Sequence, residues 1–271
     1  MSGIGGADPG ADARRGGAGA GGAPAGVTTG DLWRVVGRSL LLQALFNRER
    51  MQGQGLACAL RPVARRLAGP QGEAGWLARH LGSFNTHPVL AAYALGAVAR
   101  LEAERAAGGD VTEETVAHAK AALGPALAAA GDSLFWSTCR PLAAVIGVLW
   151  VAQGSPYGPL VFWLLYNVPH AMVRVRGVFA GYAMGLGVVG ERMRVGLNRL
   201  RLVLRLTGVV VAAALVDTLA AGQSVGGGPG ALWVLAGLAV GLAWSERRRV
   251  PAGALGLAVI GVALAWATLA R

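Results

Sequence analysis

Residues 202–222 read LVLRLTGVVVAAALVDTLAAG, an apolar run whose only charged members are Arg205 and Asp217. As a helix it would cover roughly 30 Å, about the hydrocarbon thickness of a bilayer. GALWVLAGLAVGLAWS (230–245) and PAGALGLAVIGVALAWATLA (251–270) read the same way, so the C-terminal part is predicted to hold three membrane helices. Arginine-rich ERMRVGLNRLR (191–201) and ERRR (246–249) flank these runs, while the intervening QSVGGGPG (223–230) is uncharged. The positive-inside rule then puts 191–201 and 246–249 in the cytosol and the C-terminus outside. Trp233, Trp244 and Trp266 fall near the expected interfaces.

Composition agrees. The chain is 54% hydrophobic and 14% charged, with a mean hydropathy of +0.49. Soluble domains carry about 25% charged residues. Leu, Ala and Gly dominate over an alternating Val/Ile/Thr pattern, which excludes a membrane β-barrel and leaves an all-α, polytopic membrane protein. Net charge is +11, almost all from arginine, with Lys120 the single lysine. The arginines cluster between apolar segments, and no basic stripe interleaved with stacking aromatics marks a nucleic-acid surface. Cys58 and Cys139 have neither metal-type spacing nor a disulfide framework.

Working toward the N-terminus, residues 1–30 are Gly/Ala-rich without a contiguous apolar core, and are expected to be a disordered cytosolic tail. Residues 31–81 are expected to be an amphipathic helical region on the cytosolic membrane surface, with a helix start near Asp31. In it Leu40, Leu41, Leu42, Leu45 and Phe46 would share one face, Arg34, Arg38 and Arg48 would reach headgroups, and 69–81 would be a Gly/Pro connector. A subunit-packing helix is the alternative. Residues 82–190 are expected to be a transport core. Its run 88–101 would form only about 21 Å of helix, too short to span, and so is expected to be re-entrant or broken. Residues 102–123 are predicted to be a cytosolic hairpin whose charges form a wet face, with Thr112–Thr115 as an acidic helix start. From Pro141 to Pro169, the break QGSPYG (153–158) suggests two half-length helices dipping into the membrane; tilted spans extended by their flanks are the alternative. Residues 191–271 would hold the C-terminal helices.

Polar side chains at membrane depth mark pathways or sites by default. The candidates are Asn85, Thr86, His87, Asp132, Ser133, Asn167 and His170. No His or carboxylate lies at i+3 or i+4 from His87 or His170, which argues against a metal site, and no catalytic motif is present. Asn85 or Thr86 could simply cap a helix opening near Pro88. Amide, hydroxyl, imidazole and carboxylate groups together are also what binds sugar hydroxyls.

NRERMQGQG (47–55), FNTHP (84–88), GDSLFWSTCRPL (131–142), GPLVFWLLYNVP (158–169) and VRVRG…GY (173–182) together resemble, in order, the IID membrane subunit of the mannose-type sugar phosphotransferase system. The likeness covers roughly residues 31–190, with FNTHP and GDSLFW…RP its most specific pair. Where that family usually reads close to GPLAGIGD, this chain has GPALAAAGD (124–132), retaining Asp132; Val175 and Arg176 stand where tyrosines are common.

The resemblance implies a IIC membrane partner, cytosolic IIB and IIA phosphocarriers, a hexose-type substrate and an oligomeric complex in the bacterial cytoplasmic membrane, with the N-terminus in the cytosol. It implies no phosphohistidine, cofactor or metal on this chain, and places Asn85, Thr86, His87, Asp132 and Ser133 at the substrate. A structural or regulatory module that keeps the fold without moving sugar is the competing reading; a self-sufficient membrane enzyme lacks a catalytic pair.

Overall fold

A computed structural model of the protein describes residues 26–222, and every regular element within them is helical. The helices expected over 230–245 and 251–270, with their tryptophans, lie outside the described residues.

Thr28 opens α1 (Thr29–Ser39) with a capping box. Its hydroxyl oxygen accepts from the Asp31 N–H at 3.2 Å, and the Asp31 carboxylate accepts from the Thr28 N–H at 3.1 Å. Thr29 and Gly30, read as tail, thus belong to the helix. Leu32, Val35, Val36 and Ser39 follow helical spacing and form its buried face. The helix stops at Ser39, and residues 40–52 turn back, so the five apolar residues after it do not share a face: Leu42 is buried and Leu40, Leu41, Leu45 and Phe46 are exposed. Gly55 makes the return possible, because a Cβ there would lie 2.0 Å from the Leu42 carbonyl oxygen. Helix α2 (Gly53–Ala78) kinks at Gly69, whose φ of 68° suits a residue without a Cβ, just before Pro70. The connector expected over 69–81 is therefore a kink followed by further helix.

Helix α3 (Ala91–Ala106) is the axis of the molecule. Nearly every residue from Ala91 to Glu102 is buried, and small side chains let neighbours approach closely. Helix α6 (Gly158–Met184) crosses it where Gly96 meets Val178 and Gly181, with Gly177 against Ala92 one turn away. Helix α4 (Glu113–Gly131), capped by Thr112, runs on through a π-helical stretch (Asp132–Cys139) into α5 (Arg140–Ala152). After a short 3-10 turn (Gly185–Val189), α7 covers Glu191–Gly222. The described residues include three helices long and apolar enough to cross a membrane, Glu113–Ala152, Gly158–Val189 and Glu191–Leu219. The half-length helices suggested for 141–169 are segments of two of these, as in the alternative of spans extended by their flanks. The arginine-rich 191–201 stretch and the apolar run after it form one helix.

The charges of 102–123 do more than face water. Glu102 is buried and ties α3 to the end of α2, while Arg79 and Arg105 reach on to Glu113 at the start of α4, each at 3.6 Å. The Glu102 carboxylate accepts from His80 Nε2 and from Arg79 Nη2, both at 3.1 Å, and lies 3.5 Å from Arg105. Lys120 Nζ donates to the Arg79 carbonyl at 3.0 Å and lies 3.5 Å from His80 Nδ1. A neutral His80 that donates through Nε2 and accepts through Nδ1 satisfies both neighbours. Burial pushes the His80 pKa down against the pull of Glu102. Burial opposes ionisation of Glu102, yet His80, Arg79 and Arg105 hold its carboxyl below the ordinary value.

Below pH about 6.5 the unfolded chain binds a proton at His80 that the folded chain refuses, so this group makes stability fall as pH drops toward its folded value. Thermal unfolding of the wild type and His80→Gln at pH 7.5 and 5.5 checks this. Glutamine keeps an N–H for Glu102 without titrating, so the variant is expected to lose less stability between the two pH values; equal losses would refute the assignment.

Candidate functional site

The residues 82–90 are held from behind by Gln52, itself buried. The Gln52 N–H donates to the Phe84 carbonyl at 2.8 Å. Its side-chain amide then grips the Thr86 peptide unit twice, donating to the Thr86 carbonyl at 2.8 Å and accepting from the Thr86 N–H at 3.1 Å. The amide of glutamine matches a peptide group in donor and acceptor order, so one side chain serves as a strand-like neighbour. Met51, before it, sits at φ 52°, an uncommon value for a residue with a side chain, and the bend brings the two segments alongside. Gly53 completes the approach, since a Cβ there would lie 2.1 Å from the Gly82 carbonyl oxygen.

This arrangement overturns the capping expectation. Helix α3 begins at Ala91 without a side-chain cap, Asn85 is exposed, and the Thr86 hydroxyl caps nothing. His87 does the local work instead. Its Nδ1 accepts from the Val89 N–H at 3.3 Å, and its carbonyl accepts from the Ala91 N–H at 2.9 Å. Because Nδ1 is an acceptor, the neutral ring carries its proton on Nε2. That Nε2 and the neighbouring Thr86 Oγ1 are both buried and have no hydrogen-bond partner among the described residues. Most buried polar side-chain atoms in folded proteins are partnered.

The second wall comes from the α4–α5 rod. Gly131 lies directly against His87, where a Cβ would fall 2.3 Å from the His87 Cβ. The π stretch that follows is marked by Thr138, whose hydroxyl donates to the Ser133 carbonyl, five residues back, at 2.9 Å. Such widened turns recur at functional sites. Phe135 on this stretch stacks on the His87 ring with centroids 5.2 Å apart and an interplanar angle of 14°. Trp136 meets His87 edge-on at 6.3 Å, and His170 of α6 packs on Phe135 at 4.4 Å and on Tyr166 at 4.2 Å.

The sequence candidates thus separate. His87 and His170 both pack on Phe135, Thr86 precedes His87 in the chain, and Asp132 follows the Gly131 that lies against the His87 ring. Asn85 and Asp132 are exposed and make no side-chain hydrogen bond among the described residues. The Ser133 hydroxyl oxygen accepts from Arg201 Nη1 at 2.7 Å, which ties the π stretch to α7. Asn167 turns away and donates to the Trp163 carbonyl of its own helix at 2.9 Å. Gln52 and Phe135 were absent from the sequence candidates although both lie in the quoted stretches; the glycines at 53 and 55 beside Gln52 were the available signal for a close approach. No cluster of His, Cys, Asp or Glu suited to holding a metal occurs among the described residues.

Among the described residues, an all-helical architecture with three helices long and apolar enough to cross a membrane, and a buried polar pair behind an aromatic wall, is that of a polytopic membrane protein. A family model described as the PTS system mannose/fructose/sorbose family IID component matches residues 26–223, and the chain belongs to that family. It is 37% identical over 193 residues to the mannose-specific EIID component of the Escherichia coli K12 system, covering 70% of this chain and 68% of that one. It is 31% identical to the fructose permease IID component of Bacillus subtilis 168, covering 70% of each chain. Among solved structures it is similar to a chain of the mannose transporter ManYZ in complex with microcin E492, with a TM-score of 0.56, 30% identity and coverage of 88% of this chain and 96% of that one.

Proposed function

We propose that this chain is one half of a sugar-translocating unit, completed by a IIC membrane subunit, through which a hexose enters and is phosphorylated by phospho-IIB after IIA has charged it. The supporting observation is the adjacent pair of buried, unpartnered groups, Thr86 Oγ1 and His87 Nε2, beside the Phe135 face. A hydroxyl can both accept and donate there, and an aromatic plane suits the apolar face of a sugar ring. Asn85 and Asp132, exposed at the edge of the same group, supply further donors and acceptors toward the partner. Ser133 retains its own O–H to donate while Arg201 holds its oxygen. On this reading phosphoryl chemistry belongs to IIB, and this chain positions the acceptor hydroxyl.

The relatives bear names specific for mannose, sorbose and fructose, which supports a hexose-class substrate. Exposed Trp150, Trp163, Leu164 and Val168 on the spans offer apolar surface for IIC and lipid. The unit would sit in the bacterial cytoplasmic membrane with the N-terminus and residues 191–201 on the cytosolic side and the C-terminus outside.

Asn85→Ala and Asp132→Ala are each expected to lower hexose uptake and phosphorylation about 5- to 50-fold in cells carrying the complete system, with the complex still assembled. Unchanged transport at normal complex levels would remove both residues from the substrate site.

A further inference from the structure

Away from the aromatic site, α1 and α2 flank an open pocket of about 570 Å³ lined by Pro62, Asp31 and the arginines Arg34, Arg38, Arg61, Arg65 and Arg66. We propose that it binds the phosphodiester headgroup of an anionic phospholipid from the membrane in which the chain is embedded.

The arginines are arranged with donors to spare. Asp31 is buried and braces two of them, accepting from Arg34 Nη1 at 3.1 Å and from Arg66 Nε at 2.9 Å. Arg61 is held through Nε by Glu73, and Arg38 by Cys58, whose carbonyl accepts from Nε at 2.8 Å and whose Sγ accepts from Nη2 at 3.5 Å, leaving Nη1. Arg38, Arg61 and Arg66 are therefore oriented through Nε while terminal N–H groups remain for a ligand, the fork that suits phosphate oxygens. Arg65 has no hydrogen-bond or ion-pair partner among the described residues. Five guanidiniums face two carboxylates, an excess of three positive charges. That excess favours a headgroup with net negative charge and disfavours one that brings its own ammonium.

The surface beside the pocket accounts for the rest of a lipid. Trp33 and Gly37, one turn apart on α1, and Leu40 just past its end are exposed, next to Arg34 and Arg38 in the chain. Trp33 packs edge-on against Phe179 of α6 at 5.1 Å, so this apolar strip continues onto a membrane-length helix. A charged pocket that borders an apolar strip leading into the bilayer matches a headgroup with its acyl chains. A soluble acidic protein would leave the strip unused.

Native mass spectrometry of the full chain, purified with its membrane partner, tests this with phosphatidylglycerol, phosphatidylcholine and inorganic phosphate as probes. One phosphatidylglycerol is expected to bind at least tenfold more tightly than phosphatidylcholine. Arg34→Gln and Arg65→Gln, both at exposed positions, are each expected to weaken that binding about fivefold, the worth of one basic residue at an anionic surface, with helix content by circular dichroism unchanged. Equal binding of the two lipids, or wild-type affinity in both variants, would overturn the proposal. Inorganic phosphate occupying the site as tightly as the lipid would overturn it in favour of a free anion. Loss of docking by a cytosolic component in the same variants, with lipid binding intact, would overturn it in favour of an acidic protein.

Discussion

His87→Asn is expected to lower hexose uptake and phosphorylation about 10- to 100-fold, and His87→Gln to recover part of that loss. The two replacements divide the ring's duties. Asparagine places Oδ1 near the position of Nδ1, so it can still accept from the Val89 N–H, a bond of 3.3 Å in the wild type, but it has nothing at the position of Nε2. Glutamine reaches toward Nε2 with an N–H and gives up the local acceptor. If Nε2 serves a sugar hydroxyl, leaving that hydroxyl unpaired in a buried site costs about 1–3 kcal/mol, which sets the expected range. Uptake of labelled hexose, normalised to the amount of assembled complex, decides the matter. If asparagine restored transport and glutamine did not, the ring would be a structural piece of the turn before α3 and nothing more.

Gly181→Leu is expected to prevent the chain from accumulating in the membrane, and Gly181→Ala to destabilise it by about 1–3 kcal/mol. At the α3–α6 crossing a Cβ on Gly181 would lie 2.2 Å from the Tyr93 carbonyl oxygen, and one on Gly96 would lie 2.1 Å from the Val178 carbonyl oxygen. These obstacles are backbone atoms and cannot rotate away, so the helices must separate along their whole contact. Small residues spaced four apart, here Gly177 and Gly181, are the usual means by which membrane helices approach this closely. Gly37→Ala is the control, because a Cβ there meets no atom within 4 Å and alanine is the better helix former. The amount of each variant in the membrane fraction and its thermal unfolding midpoint are the measurements. Normal accumulation of Gly181→Leu would show that the crossing is looser than described.

Much of the local structure was legible in the letters. The acidic helix start at Thr112–Thr115 was readable because its hydrogen-bonding partners are sequence neighbours, whereas the start expected near Asp31 lies inside the turn that Thr28 caps. For 141–169 the letters leave two readings open, half-length helices or spans extended by their flanks, and the flanking stretches do continue the same helices. Neither Pro141, which sits at N1/N2 of α5, nor the π turn interrupts the rod. Glu102 was misjudged. A glutamate in a polar stretch reads as solvated until an arginine and a histidine just past the end of another helix close over it.

The sequence by itself determined that this is an all-helical membrane protein and, through FNTHP and GDSLFWSTCRPL, which family it resembles. Hydropathy and capping act over a few residues, so they can be read from the order of side chains alone. Only the tertiary structure decided that Gln52 grips Thr86 across 34 residues of chain, that Gly131 gives His87 its place, and that Phe135 lies flat on the imidazole. Each of those contacts depends on where the packing of α2, α4 and the π stretch leaves room, a property of the folded core that no short window of sequence contains.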